Sequence, residues 1–539
     1  MHEIPFVYNF PFFSIILTLA GAMATPFIRN GRAAQKVNMG IIIGAGFLNG
    51  AVLINLVQTG QNFTYIMGHF PAPFGNEIRS GPLEALMATM FCLVMGLSLA
   101  GGLKNVYEEI PKKKQNLYFL MMNLILCSLI SMTYTNDMFN AYVFIEINTI
   151  AACAIVMAKD SKETTVATIR YLIMSQIGSG LFLFGLALFY NVTGHLLMVS
   201  LHEAIGSMLA AGQYIFPLVV VASLLTIALA IKSAVYPFHT WLPGAHGTAT
   251  SSSSAILSGL VLKGYIIILI KIVYRVFSPD FFAYSHVADA VFVLGILSMI
   301  MGSVNALRER HIKRMTAYST VAQIGYIFMG IGLNSEIGMM AACFHIIAHA
   351  ITKPMLFLAA GGLANVSHHS YEFKDLKGAA HRNKLAGVAF VIGGLSMIGI
   401  PLFIGFPSKI YFSAAAINSD WFRLPAALTA LAVSTVLNAL YYIPVMFNIW
   451  KTKDEPGGHG HAGAHDSEDL AHEVEYDEKT VANIDDEHAV LSEDSEYKGK
   501  YRITFGFGFS MLAFIILNIG LGIFYKPVMD IIKSGLDLL

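Results

Sequence analysis

Hydrophobic residues occur along this chain in runs of about 20, separated by short polar connections. A helix of that length crosses the hydrocarbon core of a bilayer, which is about 30 Å thick. The pattern therefore predicts about fourteen membrane-spanning helices. They lie near residues 5–27, 37–59, 82–103, 116–135, 137–158, 168–190, 214–236, 254–275, 285–307, 317–333, 337–360, 386–417, 424–450 and 503–525.

Two of these segments are interrupted. The seventh meets a lysine at Lys232 and is predicted to break five residues later at Pro237, with His239 and His246 following in a loop. The twelfth has two prolines and a glycine within residues 401–407. Non-helical backbone at membrane depth is tolerated only where protein or a water-filled cavity satisfies its amides. Each interruption therefore predicts a polar interior.

The interruptions fall in corresponding places of two five-helix units, segments four to eight and nine to thirteen. Two consecutive units with an odd number of spans must have opposite orientations. We predict an all-α polytopic membrane protein with two inverted five-helix repeats. The predicted division is 1–115 for the first three helices, 116–275 and 285–450 for the repeats, 451–502 for an acidic, histidine-containing cytoplasmic insert, and 503–539 for the last helix and tail.

Basic residues cluster in the connections that follow odd-numbered segments. Those connections contain Arg29, Arg32, Lys36, Lys104, Lys112 to Lys114, Lys159, Lys162, Arg308, Arg310, Lys313, Arg314, Lys374, Lys377, Arg382 and Lys384. The main exceptions in even-numbered connections are Arg79, Lys271, Arg275 and Arg423. Because basic loops stay in the cytoplasm, this asymmetry predicts that both termini lie on the outer side.

Composition supports a membrane protein and excludes several other classes. The 539 residues are 55% hydrophobic and only 13% charged, against about 25% charged in soluble domains. The four cysteines lie in apolar segments without C-x-x-C spacing, which supports neither a disulfide framework nor a metal-cluster site. Nothing in the charge pattern suggests nucleic-acid binding. The N-terminus lacks the basic region of a cleavable signal, so the first segment is predicted to be retained.

Two polar stretches lie outside the predicted spans. Residues 451–502 have the composition of a solvated, disordered insert, and clustered His459, His461 and His465 are a weak signal for metal binding. Between segments six and seven, HLLMVSLHEAIGSMLAAG is either a short helix on the outer surface or an ordinary loop.

The fifth segment contains one ionisable residue, Glu146, between Asp137 and Lys159. A buried carboxylate stays charged only beside a cation, and Lys232 of the seventh segment is the natural candidate. We predict that Glu146 and Lys232 are partners in proton transfer. The alternative is a fixed ion pair that only ties two helices together.

The eleventh segment reads AACFHIIAHAITKPMLFLAAGG and contains His345, His349 and Lys353 at intervals of four, hence on one helix face. Histidine titrates near neutral pH, so such a stripe offers successive proton stations. A zinc site is disfavoured because Ile346 stands where an H-E-x-x-H motif requires glutamate. Histidines that are simply hydrogen-bonded within a bundle are the remaining alternative.

Two further lysines lie within apolar segments: Lys263 in the eighth, and Lys409 beside the interruption of the twelfth. An ammonium at the bilayer centre costs roughly 2.5–3.5 kcal/mol on insertion scales, so such residues usually face a polar interior and are functional. Snorkelling to the interface is the alternative reading of a membrane lysine.

Four fragments in order, FIEINTIAACAIV, IKSAVYPFHTWLPGAH, HIIAHAITKPMLF and GFPSK, cover about residues 116–450. With them the chain resembles the antiporter-like subunits shared by Mrp-type multisubunit Na⁺/H⁺ antiporters, respiratory complex I and energy-converting membrane-bound hydrogenases. It is most similar to the Mrp D subunit and its hydrogenase counterpart. It lacks the long lateral helix of the distal complex I subunit, and the acidic insert departs from the expected short connection.

The resemblance implies fourteen helices with two inverted repeats, and membrane partner subunits. It implies no cofactor and no metal on this chain; iron–sulfur clusters or a nickel–iron centre would belong to partners, which leaves open whether the chain is part of an enzyme. The matching functional residues are Glu146, Lys232, Lys263, His345, His349 and Lys409.

The sequence therefore predicts a proton-translocating subunit of a multisubunit complex in the cytoplasmic membrane of a prokaryote. The complex is either a secondary antiporter or a redox-driven pump, and the coupled ion is H⁺ alone or H⁺ with Na⁺. The competing hypothesis is a structural scaffold subunit whose charged residues only hold helices together.

Overall fold

The computed structural model of the chain describes residues 5–70, 75–452 and 503–539. These are almost entirely helical, with one antiparallel hairpin of β1 (Phe63–Ile66) and β2 (Glu77–Ser80). The helices are α1 (Phe10–Ala24), α2 (Gly31–Thr59), α3 (Pro82–Glu109), α4 (Gln115–Tyr134), α5 (Met138–Met157), α6 (Lys162–Thr193), α7 (Met198–Ala210), α8 (Ile215–Lys232), α9 (Trp241–Thr248), α10 (Ser251–Ile256), α11 (Leu262–Lys271), α12 (Pro279–Tyr284), α13 (Val287–Arg308), α14 (Ile312–Gly332), α15 (Glu336–Ala364), α16 (Ala379–Arg382), α17 (Lys384–Ile398), α18 (Gly405–Ile417), α19 (Arg423–Trp450), α20 (Phe505–Ile523) and α21 (Lys526–Asp537).

Within these described ranges, 12 helical segments are long and apolar enough to cross a membrane. The chain is therefore a multi-pass, all-helical membrane protein apart from the hairpin. Two other predicted segments are helical but do not meet that criterion of length and apolar composition. The tenth is α14, whose 21 residues include several polar ones. The twelfth is divided into α17, of 15 residues, and α18, of 13; each is shorter than the roughly 20 residues that a span requires.

The two most enclosed segments form the centre of the bundle. Every residue in the most apolar part of Ser251–Phe277 and of Glu336–Ala364 is buried, whereas large apolar side chains such as Phe47, Phe216 and Phe447 are exposed on the surrounding helices. A polar residue on a central helix therefore contacts protein and not lipid, which is the arrangement that intramembrane charges require.

The first interruption begins earlier than the sequence predicts. Helix α8 ends at Lys232, and not at Pro237, because Ala234 adopts a positive φ of 57° and turns the chain. The amides released by the break are satisfied, since Val235 N donates to Ala230 O at 3.1 Å and Tyr236 N donates to Ser298 Oγ at 3.2 Å.

The prediction of a loop after this break is also wrong. His239 lies in a short 3₁₀ turn, Phe238–Thr240, and His246 lies in α9. The chain regains helical hydrogen bonding immediately, which satisfies the backbone within the buried interior.

The second interruption separates α17 from α18 and depends on glycine. Gly399 has a φ of +88°, a left-handed backbone conformation that residues with a side chain rarely adopt. At Gly405, a Cβ atom would lie 1.9 Å from Ser396 O, so only glycine allows the two half-helices to approach. The amide of Gly405 donates to Ser396 Oγ at 3.2 Å, and that of Ile404 donates to Asn518 O at 3.0 Å.

The two ends of the bundle differ in chemistry. Connections after the third and fifth segments meet at one end, where Lys159 pairs with Glu109 at 2.9 Å and Lys114 with Asp160 at 2.7 Å. The hairpin meets α4 at the opposite end through a bridge between Ile78 and Thr135. This alternation fits the predicted topology, and the assignment of the basic end to the cytoplasm stays a prediction.

Two of the exceptional basic residues are not loop residues. Lys271 and Arg275 belong to the buried helical segment that ends at Phe277, and they are 1% and 4% exposed. Helix α7 packs against this end of the segment, where His202 Nδ1 lies 3.3 Å from Val276 O.

Of the two alternatives for residues 195–212, the helix is correct: α7 runs from Met198 to Ala210 and buries Leu201 and Ile205. The hairpin and α21 are elements that the sequence did not predict. The histidines of the acidic insert, like nearly all of residues 451–502, lie outside the described residues.

Candidate functional site

The first predicted pair is formed by α5 and α8. Lys232 Nζ lies 3.0 Å from Glu146 Oε1, and the side chains are 1% and 19% exposed. Lys232 is the last residue of α8, where the free carbonyls of the helix end favour a positive charge. The structure thus places the two predicted partners side by side, and their role in proton transfer stays a prediction.

Several polar groups that the sequence did not single out complete this pair. Lys232 Nζ donates to Thr149 Oγ1 at 2.8 Å, and Thr149 contacts Tyr265 OH at 3.1 Å. Glu146 accepts hydrogen bonds from Ser179 and, at 3.3 Å, from Gln176 Nε2. Thr149 follows Glu146 by three residues, so helical spacing was the available signal for it.

The second group is the pair Lys263 and His349 at the centre of the bundle. Both side chains are fully buried, and Lys263 Nζ is hydrogen-bonded to His349 Nδ1. Lys263 also donates to Ser258 O, which lies in the π-helical turn Leu257–Val261. A π turn leaves carbonyls outside the regular α-helical ladder, and such turns are frequent at functional sites.

His345 lies one turn before His349 on α15, and their ring centroids are 6.4 Å apart. Its Nδ1 is 2.9 Å from Ser408 Oγ, and its Nε2 is 3.0 Å from Gln323 Oε1. Both ring nitrogens are therefore engaged. The ring lies between α14 and α18, so the histidine connects the central helices to the second interruption.

Lys409 reaches back across that interruption. Its Nζ donates to Ile398 O at 2.6 Å, at the end of α17, and to Thr435 Oγ1 at 2.8 Å. Lys409 also lies over the Tyr326 ring at 5.2 Å, and this ring stacks on His345 at 5.5 Å. Tyr326 thus bridges two predicted site residues, and no sequence signal pointed to it.

The two interrupted segments do not place their lysines equivalently. Lys232 precedes its break and ends the first half-helix, whereas Lys409 follows its break within α18. What they share is proximity to the carbonyl end of a half-helix, where a cation is stabilised.

Lys353, the third residue of the histidine stripe, is buried beside α14 and α19. Its Nζ donates to Thr316 O at 3.0 Å, Ser319 Oγ at 2.7 Å and Tyr442 OH at 3.3 Å.

Taken together, the predicted site residues form a row of side chains that runs from α5 to α18. Within the part of the chain described, no direct hydrogen bond joins Lys232 to Lys263, and the Tyr265 ring, 5.7 Å from Lys232 Nζ, lies between their helices.

Comparison with known proteins identifies the family. Residues 135–436, more than half of the chain, match the family model described as NADH:quinone oxidoreductase/Mrp antiporter, transmembrane. The chain belongs to this family. The resemblance predicted from its motifs is therefore confirmed, and all six predicted site residues of this Mrp and complex I family member lie within the matched region.

Relatives of this family member come from both types of system. The N subunit of the NADH-quinone oxidoreductase of Desulforudis audaxviator (strain MP104C) is 30% identical, and the match covers 83% of this chain and 88% of that protein. The D subunit of the Na⁺/H⁺ antiporter of Alkalihalophilus pseudofirmus (strain OF4) is 24% identical, over 79% of this chain and 84% of that one.

Solved structures share the fold. A chain of the membrane-bound sulfane sulfur reductase, an archaeal respiratory membrane complex, superposes with a TM-score of 0.80 at 24% identity, covering 98% of this chain and 97% of its own. A chain of the Mrp complex from Dietzia sp. DQ12-45-1b also gives 0.80, at 22% identity, with 99% and 97% covered. The antiporter-like subunit fold is common to these complexes.

Proposed function

We propose that this chain is a proton-translocating membrane subunit of a multisubunit complex, either an Mrp-type cation/proton antiporter or the related ion-pumping module of a hydrogenase-like or complex I-like enzyme. The observation that carries the proposal is the row of titratable side chains, Glu146 with Lys232, Lys263 with His349, then His345 and Lys409. Lys232, Lys263, His345 and His349 are buried, and Glu146 and Lys409 are half-buried. Its members come from five different segments of the chain.

The Glu146 and Lys232 pair is the switch in this mechanism. While the carboxylate lies 3.0 Å away, it stabilises the charged ammonium. If the two groups separate, burial favours the neutral lysine and the proton moves to the next station. Moving one charge against 100 mV costs about 2.3 kcal/mol, which corresponds to less than two pKa units at about 1.36 kcal/mol each. A modest rearrangement of one pair can therefore supply the work.

The finer architecture that we propose has fourteen spans, with α14 and the divided α17 and α18 completing the twelve apolar ones. Residues 116–275 and 285–450 form the two inverted repeats. Each unit has its interrupted segment in fourth place, α8 with α9 and α17 with α18. Corresponding interrupted helices in two inverted halves are typical of secondary transporters, with the ion path at the repeat interface.

The assembly is proposed from the relatives. An Mrp complex and a respiratory membrane complex contain chains of this fold, so we expect other membrane subunits as partners. The chain itself would carry no cofactor; in a redox-driven complex, iron–sulfur clusters or a nickel–iron centre would belong to partners. The proposed location is the cytoplasmic membrane of a prokaryote, with both termini outside.

The test is Lys232→Ala in the purified complex, reconstituted into liposomes, with transport followed by a pH-sensitive dye. Removing the ammonium breaks the pair, and we expect loss of proton translocation with the complex intact on size-exclusion chromatography. Lys533→Ala is the matched control, because Lys533 is 56% exposed on α21.

Full transport by an intact Lys232→Ala complex would show that this lysine is not a proton carrier. Failure to assemble, with normal transport in the fraction that does assemble, would instead favour the scaffold function. That alternative has one specific observation in its favour: Lys353 is held by three hydrogen-bond acceptors, an arrangement that also fits a purely structural residue.

A further inference from the structure

A groove lies at the basic end of the bundle, where α13 and α19 pack against each other and both end. It has a volume of about 560 Å³. One wall includes Leu307 and Arg310, at and just after the end of α13, and the other includes Leu440, Pro444 and Asn448 of α19. None of these residues belongs to the row of proposed proton stations, so the groove is a separate feature of the molecule.

Hydrogen bonds hold the rim of this groove in place. Asn448 Nδ2 donates to Phe373 O at 2.6 Å, and Phe373 N donates to Arg310 O at 2.9 Å. Phe373 belongs to the connection between α15 and α16 and also lines the groove. The rim therefore joins the end of α19 to the residues after α13, and the groove is formed by the fold before any ligand binds.

Arg310 carries the unpaired charge of the groove. The other charged residue of its lining is Glu309, whose carboxylate is paired with Arg314 at 2.9 Å. The Arg310 side chain is exposed, and within the described residues its guanidinium has no ion pair and no hydrogen bond. The rim thus presents a positive charge that attracts an anionic group.

Below the rim, the groove is apolar and open to the lipid-facing surface. Pro444 and Leu440 lie one and two turns before Asn448 on α19, and eight residues of helix extend for about 12 Å. Leu307 and Leu440 are 42% and 51% exposed. A cation therefore lies where the spanning segment Val287–Arg308 ends, and an apolar surface continues from it into the membrane.

This combination of features fits a lipid better than a partner helix. A membrane-spanning helix needs about 20 residues, or about 30 Å, whereas the groove follows only two turns of α19. A phospholipid has its charge and its apolar chains in the order that the groove provides. Basic pockets between membrane helices on the cytoplasmic side are typical binding sites for anionic lipid headgroups.

We propose that this groove binds an anionic phospholipid, with the phosphate on Arg310 and an acyl chain along Leu307, Leu440 and Pro444. Guanidinium pairs with phosphate through two parallel hydrogen bonds, which fixes the headgroup at the rim. The lipid would join the ends of α13 and α19, the first and last helices of the second proposed repeat. The site is independent of the proposed translocation function, because it is defined by binding alone.

The experiment uses the intact purified complex in phosphatidylcholine vesicles that contain a small fraction of photoreactive phosphatidylglycerol, with a diazirine in one acyl chain. After illumination, mass spectrometry locates the labelled peptides. Photoreactive phosphatidylcholine with the same diazirine measures contact with ordinary surrounding lipid. We expect the phosphatidylglycerol probe to label the peptides around Leu307 and Leu440 severalfold more than the phosphatidylcholine probe does.

The charge is tested with Arg310→Gln and its matched control Arg308→Gln. Both arginines are exposed at the end of α13, but only Arg310 lines the groove. We expect Arg310→Gln to lower labelling by phosphatidylglycerol about fivefold, the effect of one basic residue near an anionic membrane surface. Arg308→Gln removes the same charge from the same end and should keep the labelling of the parent.

The apolar part is tested with Leu440→Trp, which fills the groove, against Val436→Trp. Val436 lies one turn earlier on α19, is 58% exposed and does not line the groove. Because both positions are exposed, both complexes should assemble. We expect Leu440→Trp to reduce labelling of the peptide around Leu307, and Val436→Trp to leave it unchanged.

Three results would overturn the site. Equal labelling by the two probes would mean that the groove holds ordinary surrounding lipid only. Equal losses in Arg310→Gln and Arg308→Gln would mean a general attraction to the basic surface. Absence of labelling in the parent complex would exclude a lipid, and a photoreactive amino acid in place of Leu440 would then identify a partner subunit that covers the groove.

Discussion

Lysine carries most of the buried charge of this protein, and backbone carbonyls hold most of it. Lys263, Lys271, Lys313 and Lys353 are each at most 1% exposed, and each donates to at least one main-chain oxygen. Within the described residues, Lys232 is the buried lysine with a carboxylate partner. A carbonyl dipole is fixed in place, whereas a side-chain carboxylate can move away, so Lys232 is the lysine whose charge the movement of a carboxylate can switch.

Tyr326 contacts both His345 and Lys409, and both contacts are made by the face of its ring. Its hydroxyl has no hydrogen-bond partner within the described residues. We therefore expect Tyr326→Phe to transport almost normally, whereas Tyr326→Leu loses a cation–π contact of about 0.5–2 kcal/mol and slows transport severalfold.

The measurement is the transport rate of both variants in reconstituted, intact complexes. Normal rates in both variants would show that neither the ring nor its hydroxyl takes part. A defect in Tyr326→Phe as large as that in Tyr326→Leu would instead assign the role to the hydroxyl.

At the scale of the elements, both interruptions are built from backbone conformations as well as from proline. The first begins at Ala234, whose positive φ no composition rule anticipates, so the sequence placed the end of α8 five residues late at Pro237. The second was easier to predict because Pro401, Gly405 and Pro407 lie within it. The type of residue reveals a helix interruption only where the backbone conformation or the space available excludes other residue types.

Gly405 offers a direct test of the second interruption. In Gly405→Ala the new Cβ would lie 1.9 Å from Ser396 O, a backbone atom that cannot move without separating α17 from α18. We expect the variant to lower the free energy of unfolding by at least about 1–3 kcal/mol, as overpacking does.

The matched control is Gly520→Ala in α20, where nothing lies within 4 Å of the added methyl group. Alanine is the better helix former by about 1 kcal/mol, so this variant should be as stable as the parent or more so. Thermal unfolding of the purified complexes measures both. Equal midpoints for Gly405→Ala and the parent would mean that the half-helices are not tightly fixed.

At the scale of the whole molecule, the sequence predicted the charged residues of the interior but not all of their partners. Charges in apolar runs are visible as exceptions, which is how Glu146, Lys232 and Lys263 were found. Lys271 and Arg275 lie within the predicted eighth segment, 254–275, although they were also counted among the basic residues of even-numbered connections; the structure places both in a buried helical segment. Contacts between distant segments have no local signal.

The predicted sidedness can be tested with the protein's own cysteine pattern. All four cysteines, Cys92, Cys127, Cys153 and Cys343, are buried, so a maleimide that cannot cross the membrane should react little with the parent chain. A cysteine at an exposed position then reports which side of the membrane that position occupies.

Lys113 lies in the basic connection after α3, and Lys533 lies on α21 at the opposite end; both are exposed. If basic connections face the cytoplasm, Lys533→Cys should be labelled in intact cells and Lys113→Cys only after the membrane is opened. The reverse pattern would place the basic connections on the outer side of the membrane. Labelling of both positions from one side would contradict the alternation of the spans itself.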